Sequence, residues 1–370
     1  MIKRLYVDNY KCLVNFDLKL DELSLILGPN GVGKSSVLDV VYAVRQLLGG
    51  VAKVTDAGIF PTSTLTRWQS RDTQAIEFDV SVSGDELTYR LEVEHDRPNK
   101  RARITREVLT EKENPLFSFE MGTVQLYRDD HSEGPRYSAD WSESALARVP
   151  AYGEQNRRLT AFLEHTRRII VCGLYPAGFV PESSRRDPIL LRDVSNFVSW
   201  YHHLVLERQD LVPDFTAQLQ EVIHGFRAIN LPSVGQETVA MKVLFQEGEQ
   251  RYDLRIEEIS DGQRALIAIY ALVLLTSEQG YSLFLDEPDN YLALREIQPW
   301  LFCLEDACGE TLPQAVLCSH HPELIDYLGG DRGILLERES SGVIKPGRIE
   351  EADLDEGLKL SELVARGWER

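Results

Sequence analysis

The sequence predicts an α/β fold: a parallel sheet flanked by helices, into which an antiparallel β-meander and a helical region are inserted. Three observations carry this. An apolar run, Leu23–Leu27, leads into Gly28-Pro29-Asn30-Gly31-Val32-Gly33-Lys34-Ser35-Ser36 and then into an apolar-periodic segment, residues 36–48, closed by Gly49-Gly50; this reads as strand, glycine turn and helix. From residue 263 onward helix and strand patterns alternate, as in a parallel sheet. In between, Ile76, Phe78, Val80 and Val82 alternate with polar residues, Ser83-Gly84-Asp85 turns, and Leu87, Tyr89, Leu91 and Val93 resume the alternation, which describes an antiparallel hairpin with one wet face.

Taken in order, Leu5/Val7 and Phe16/Leu18/Leu20 predict two paired strands ahead of the glycine loop. Tyr10 or Lys11, on that hairpin, can pack beside a ligand of the loop, or belong to core and surface. Residues 51–75 form a connection without period. Strand-like pieces at 116–119 and 124–127 extend the hairpin into a meander over 76–130. A polar stretch, 129–140, precedes helical text that includes 157–165. A short apolar strand, Ile169–Gly173, and an irregular segment, 175–188, follow. Residues 194–229 have helical periodicity broken at Pro213, hence two helices. Strands are expected at 239–245 and 252–256, a helix at 263–277, a strand at 282–285, a helix at 294–306, a strand at 315–318 and a helix from Pro322. The strand Leu23–Leu27 must join this last sheet. A hairpin at 333–345 and a helix-like Leu360–Ala365 finish the chain. No sustained heptads occur, which excludes a long coiled-coil arm. We expect one domain over 1–370, with a sheet-containing core at 1–130 and 239–350 and a helical lobe at 141–235.

The 370 residues, 43% of them hydrophobic, can bury a substantial core. No apolar run reaches membrane-spanning length, and the N-terminus passes directly into strand pattern, so a cytoplasmic protein without a membrane partner is expected. Cys12, Cys172, Cys303, Cys308 and Cys318 show no metal-ligand spacing and read as reduced packing residues. The net charge of −19 opposes nucleic acid over distances of about a Debye length. Local basic clusters, Lys100-Arg101-Arg103-Arg106, Arg157-Arg158, Arg167-Arg168 and Arg185-Arg186, are either solvated charge or a stripe on one face.

The segment Gly28–Ser36 fits the phosphate-binding pattern G-x-x-x-x-G-K-[ST] without mismatch. Glycines let backbone N–H groups wrap a phosphate where a Cβ would obstruct, and the following helix N-terminus adds a favourable dipole. Asn30, Gly31, Gly33, Lys34, Ser35 and Ser36 are the binding candidates, with Lys34 reaching the β/γ-phosphates and the Ser35 hydroxyl binding Mg²⁺. Leu283-Phe284-Leu285-Asp286-Glu287-Pro288 is an apolar strand ending in two carboxylates. Asp286 suits the metal, and Glu287 suits the activation of water. Ser319-His320-His321-Pro322 follows the next apolar strand, at the carboxyl edge where ligands of such sheets collect. His320 is the candidate γ-phosphate donor; metal binding by the His pair lacks a third ligand nearby. Ser260-Asp261-Gly262-Gln263 precedes a helix apolar nearly all round, and is either a plain N-cap turn or a second anion-binding place.

The ordered set GPNGVGKSS, ISDGQRALI, LFLDEPDNYL and VLCSHHPELID resembles the Walker A, signature, Walker B with D-loop, and switch-histidine motifs of ABC ATPases. More narrowly it resembles the RecF, SMC and OLD-type branch, also called AAA family ATPases, found in DNA repair and anti-phage systems. The resemblance implies an ABC ATPase head with an antiparallel β-subdomain (lobe I) and a helical subdomain inserted between Walker A and the signature motif. It implies ATP and Mg²⁺ as ligands and Lys34, Glu287 and His320 as catalytic residues. It also implies that Ser260, Gly262 and Gln263 reach ATP bound to a second copy of the chain, and that Asp289 and Asn290 lie across the dimer interface. Three departures stand out. Asp261 occupies a position that is normally small, no Q-loop glutamine ends the strand Ile169–Gly173, and neither a long coiled coil nor a C-terminal nuclease domain is expected.

The expected function is an ATP-binding and hydrolysing switch that forms an ATP-sandwiched, head-to-tail homodimer. DNA is an expected object, and a separately encoded effector an expected partner, in repair or anti-phage defence. The rivals are the nucleotide-binding subunit of a membrane transporter, which the missing glutamine and the DEPDNYL sequence oppose, and a scaffold that binds ATP without hydrolysing it.

Overall fold

The computed structural model describes residues 1–151, 155–349 and 359–365. These divide into two compact units, residues 1–169 with 330–349, and residues 170–329 with 359–365.

In the first unit, β1 (Ile2–Asp8) pairs antiparallel with β2 (Phe16–Lys19), Val7 facing Phe16. All five residues of β3 (Leu23–Leu27) are buried, and α1 (Lys34–Leu48) buries the stripe Val37, Leu38, Val41, Val44 and Leu48. The meander consists of β4 (Thr73–Val82), β5 (Asp85–Asp96), β6 (Arg101–Glu111), β7 (Asn114–Glu120), β8 (Thr123–Tyr127) and β9 (Glu133–Ser138). With β2 and β1 it makes an eight-stranded antiparallel sheet in the order β2-β1-β4-β5-β6-β7-β8-β9. Strict alternation buries Ile76, Phe78, Tyr89, Leu91, Phe117 and Phe119 on one face, against which α2 (Arg157–Arg167) packs through its contacts with β4 and α1.

Two of these strands were not legible in the pattern. A register shift opposite Glu92/Val93 breaks the alternation of β6, which also buries a carboxylate, Glu107, where an apolar residue is expected. β9 buries no residue, so periodicity has nothing to report. The strand Gly333–Arg338 runs parallel to β3, Gly333 beside Leu25 and Leu335 beside Leu27, and forms the expected hairpin with Ile344–Arg348.

The second unit contains β10 (Ile169–Gly173), β11 (Glu182–Ser183), α3 (Phe197–Glu207), α4 (Val212–Val222), β12 (Phe226–Asn230), β13 (Val239–Ala240), β14 (Lys242–Glu247) and β15 (Gln250–Arg255). It continues with α5 (Asp261–Leu274), β16 (Ser282–Asp286), α6 (Leu294–Ala307), β17 (Gln314–Cys318), α7 (Pro322–Arg332) and α8 (Leu360–Ala365). β10 neighbours β16, and β16 runs parallel to β17 with Ser282 beside Gln314 and Asp286 beside Cys318. This register brings the ends of both strands to one edge. α5 buries Ala265 through Val273 without interruption, as its all-round apolar sequence requires. Residues 226–229, expected to be helical, belong to a strand instead. Gly225, at φ 73°, turns the chain out of α4, and β12 then pairs with β14 and buries Phe226 against its inner face. α8 is held on α7 by Ser361 N donating to Asp326 Oδ1 at 2.8 Å. Among the described residues, no helix is long and apolar enough to cross a membrane.

Candidate functional site

The glycine loop joins β3 to α1 through three left-handed glycines. Gly28 sits at φ 139°, Gly31 at 78° and Gly33 at 109°, the backbone form in which successive N–H groups line an anion-sized concavity. Two of these positions admit no side chain. A Cβ on Gly28 would lie 2.6 Å from the Leu336 carbonyl oxygen, and one on Gly33 would lie 2.8 Å from Cys12 Sγ. Lys34 is only 7% exposed and folds back over the loop, its Nζ donating to the Gly28 and Pro29 carbonyls at 2.7 and 3.4 Å. Asn30, Gly31 and Ser35 are exposed, and Ser36 is half-buried with its hydroxyl 3.8 Å from Cys12 Sγ.

The hairpin supplies a residue that sequence reasoning did not find. Arg338 Nη2 donates to the Gly31 carbonyl at 2.9 Å across 307 positions of chain. Tyr10, one of the two hairpin candidates, is 1% exposed with its ring edge-on to Phe60, so it is a core residue. Lys11 pairs with Asp39.

At the carboxyl end of β16 the two carboxylates have different surroundings. Asp286 is the last strand residue, beside Cys172 of β10; burial and the Asp286 charge push that thiol up to about 12 and leave it inert at neutral pH. Glu287 takes a left-handed backbone, φ 47°, which is costly for a residue with a Cβ, by about 1–3 kcal/mol. Three contacts hold it there. Its N–H donates to the Cys318 carbonyl at 2.8 Å, Asn290 Nδ2 donates to Oε2 at 2.8 Å, and His320 Nδ1 lies 3.1 Å from Oε1. The parallel register of β16 and β17 thus delivers the carboxylate and the imidazole to one place.

His321 points elsewhere, with Nδ1 accepting from the Glu323 N–H at 3.2 Å. Of the two histidines, His320 is therefore the one on Glu287. Asp289, expected to face a second subunit, is 3% exposed; burial raises its pKa above the ordinary carboxylate value, opposed by a bond from Ser319. Asn290 is exposed but engaged with Glu287 of its own chain.

The Ser260 turn is a capping box. Ser260 Oγ accepts from the Gln263 N–H at 3.2 Å, and Gln263 Oε1 accepts from the Ser260 N–H at 3.1 Å. Gly262 has a packing reason as well, since a Cβ there would meet the Tyr291 carbonyl at 3.0 Å. Asp261, the acidic departure in this motif, is answered by Arg264 at 3.3 Å. The same guanidinium donates to the Ile259, Glu257 and Pro176 carbonyls and fixes the turn.

Some members of the basic clusters are paired within the chain. Arg103 pairs with Glu94, Arg106 with Glu92 and Glu120, Arg158 with Asp85 and Glu111, and Arg186 with Glu207. Cross-strand placement explains the first two, because β5, β6 and β7 put these side chains opposite one another.

Among the described residues no three His, Cys, Asp or Glu side chains converge on a metal position. Mg²⁺ keeps waters and phosphate oxygens and takes one or two protein ligands, so it would need no such cluster. Ser35 and Asp286 are chemically fit for that part.

A family model described as "AAA domain, putative AbiEii toxin, Type IV TA system" matches residues 23–326. Among solved structures, the chain is similar to an SMC head bound to the C-winged helix domain of ScpA (14% identity, 95% of this chain and 98% of that one, TM-score 0.57). It is also similar to an SMC head with an extended coiled coil bound to the C-terminal domain of ScpA, derived from Pyrococcus furiosus (13% identity, 99% and 98% covered, TM-score 0.53). These show a P-loop α/β fold of the SMC-head type. An OLD nuclease of Thermus scotoductus is 49% identical over 51 residues, a segment that spans 14% of this chain and 9% of that protein.

Proposed function

We propose that this chain, which belongs to the AAA_21 family of ABC-type P-loop ATPases, is an ATP-hydrolysing switch that dimerises head to tail around two ATP molecules. The backbone of Gly31 and Gly33, the side chains of Asn30, Lys34 and Ser36, and the N-terminus of α1 would hold the phosphates. Ser35 and Asp286 would hold Mg²⁺, which when bound neutralises charge on the β- and γ-phosphates. Glu287 would accept the proton of the attacking water, and His320 would orient Glu287 and donate to the γ-phosphate.

The observation that carries this reading is Glu287 itself. A non-glycine residue in the left-handed region, clamped through both carboxylate oxygens and its N–H, is a strained, over-determined group of the kind that marks a working site. The capped and exposed Ser260 turn supports the dimer. Its hydroxyl, now shared with Gln263 Oε1 at 3.2 Å, would turn to the γ-phosphate of a second copy, and Gly262 and Gln263 would complete that contact. Asp289 and Asn290 would transmit closure of the interface to Glu287. The γ-phosphate would then bridge two subunits, and its hydrolysis would release them, a population shift driven by differential contact.

The family description, which names a toxin of a type IV TA system, is compatible with a defence role; that the switch works in anti-phage defence or DNA repair through a separately encoded effector is our extension of it. The net charge of −19 and the internal ion pairing of the basic clusters favour action through that effector over tight DNA binding by this chain alone. Light scattering tests the switch. With ATP and Mg²⁺, Glu287→Gln is expected to double its mass and stay doubled, whereas Lys34→Ala is expected to remain monomeric. Failure of Glu287→Gln to assemble under saturating ATP would refute the sandwich.

A further inference from the structure

A second pocket lies in the first unit, between the connection after α1 and the turn joining β5 to β6. It has a volume of about 480 Å³ and is lined by Thr55, Pro61, Thr62, Ser63, Arg97, Lys100 and Ala102, none of which belongs to the Gly28–Ser36 loop. In a chain of net charge −19 this lining contains no carboxylate. It offers two cations and three hydroxyls.

The cations are placed differently. Arg97 is fixed by Asp72, which its Nε meets, and by the Gln69 and Arg71 carbonyls, to which its Nη2 donates at 3.1 and 2.9 Å; Nη1 takes no part in these bonds. Lys100 has no ion-pair partner among the described residues, in contrast to Arg103 and Arg106 on the same hairpin. The Thr62 oxygen is buried and makes no hydrogen bond, and a buried polar atom without a partner calls for an explanation. Thr62 lines the pocket, and its hydroxyl is left without a partner for a ligand to take.

We infer that this pocket binds a phosphate monoester. Lys100 supplies an ammonium without an ion pair among the described residues, and Arg97, whose charge Asp72 already answers, still offers Nη1; with the hydroxyls of Thr55, Thr62 and Ser63 these donors suit the three terminal oxygens of a phosphate. A carboxylate, with two oxygens, would leave donors unmatched. The monoester can come from a small metabolite or from the 5′-phosphorylated end of a nucleic acid; both present the same group. The site is additional to the ATP site and does not rest on it.

The test uses the full chain carrying Lys34→Ala, which silences the loop, and calorimetric titration with inorganic phosphate, with acetate at equal ionic strength as control. Phosphate is expected to bind and acetate not. Lys100→Ala and, separately, Thr62→Val should each weaken phosphate binding, Lys100→Ala by about tenfold or more, the weight of a charge-assisted hydrogen bond; the unfolding midpoint should be unchanged in Lys100→Ala and unchanged or raised in Thr62→Val, which removes a buried unpartnered hydroxyl. In otherwise wild-type protein, Lys100→Ala should leave ATP turnover unchanged. A short single strand with a 5′-phosphate that binds tighter than inorganic phosphate identifies a nucleic-acid end as the source; equal binding identifies a small phosphorylated molecule. The inference is overturned by absence of phosphate binding, by binding indifferent to both substitutions, or by a 5′-hydroxyl strand that binds as well as the phosphorylated one.

Discussion

Glu107 is fully buried in the meander, and its two oxygens divide their work. Oε1 accepts from Tyr89 Oη at 2.9 Å and Ser144 Oγ at 2.6 Å, while Oε2 accepts from the N–H groups of Ala145 and Leu146 at 2.9 and 3.2 Å. Substitution by alanine leaves four donors facing a void. Each buried unsatisfied group costs about 1–3 kcal/mol, but the losses are not additive, because side chains relax and water enters; about 3–5 kcal/mol is expected for Glu107→Ala. Glu107→Gln should cost less than about 1 kcal/mol. With the amide oxygen toward the two backbone N–H groups, its NH₂ meets the two hydroxyls, which can rotate to accept.

The pH dependence separates these cases further. Burial raises the Glu107 pKa above its ordinary value of 4.5, against the four hydrogen bonds. The folded state therefore holds the proton more tightly than the unfolded one. Its stabilising contribution is complete below about pH 4.5 and is lost as pH rises through the folded-state value. Urea unfolding of wild type and Glu107→Gln across pH 4–8 should show wild type losing ground to the glutamine variant as pH rises. A Glu107→Ala variant destabilised by less than about 1 kcal/mol, or a difference that runs the opposite way with pH, would refute the reasoning.

Other substitutions probe the site. Gly28→Ala places a Cβ 2.6 Å from the Leu336 backbone oxygen, and fluorescent-nucleotide titration should show at least about tenfold weaker ATP binding, since backbone rather than a side chain must yield. Arg264→Lys replaces a planar fork serving three carbonyls with a point charge and should lower stability by about 1–2 kcal/mol in urea unfolding. Asn290→Ala frees Glu287 Oε2 at an exposed position; unfolding should be unchanged within about 0.5 kcal/mol, while phosphate release falls about tenfold through misplacement of the carboxylate. Glu287→Gln keeps an oxygen for Asn290 and an NH₂ for His320, so it should fold as wild type and lose about 10²–10⁴ in turnover with the base.

The parts of the molecule that were legible are those whose signal is local. Gly28–Ser36, the apolar strand ending in Asp286-Glu287, the histidines after β17 and the all-apolar α5 each announce themselves within about ten residues, and periodicity located the helices Leu294–Ala307 and Leu360–Ala365. What escaped was set by distant partners. β12 reads as helix until β14 claims it, β9 shows no buried face, and Glu107 is an acid in an apolar slot until Tyr89 and Ser144 arrive. The Ser260 turn was legible as a cap, but not the Arg264 fork that fixes it through Pro176 of another segment.

By itself the sequence determined which groups are available and in what local form: glycines that permit left-handed turns, a lysine and hydroxyls at a helix start, carboxylates at a strand end. Covalent spacing and backbone sterics suffice for that. Only the tertiary structure decided what each group does next. It strained Glu287 between Asn290 and His320, buried Asp289, laid Arg338 on the Gly31 carbonyl and paired the Arg103 and Arg106 charges with Glu94 and Glu92, while Lys100 has no ion pair among the described residues. Strand register and burial choose such partners across long stretches of chain, and neither is encoded in any single window of residues.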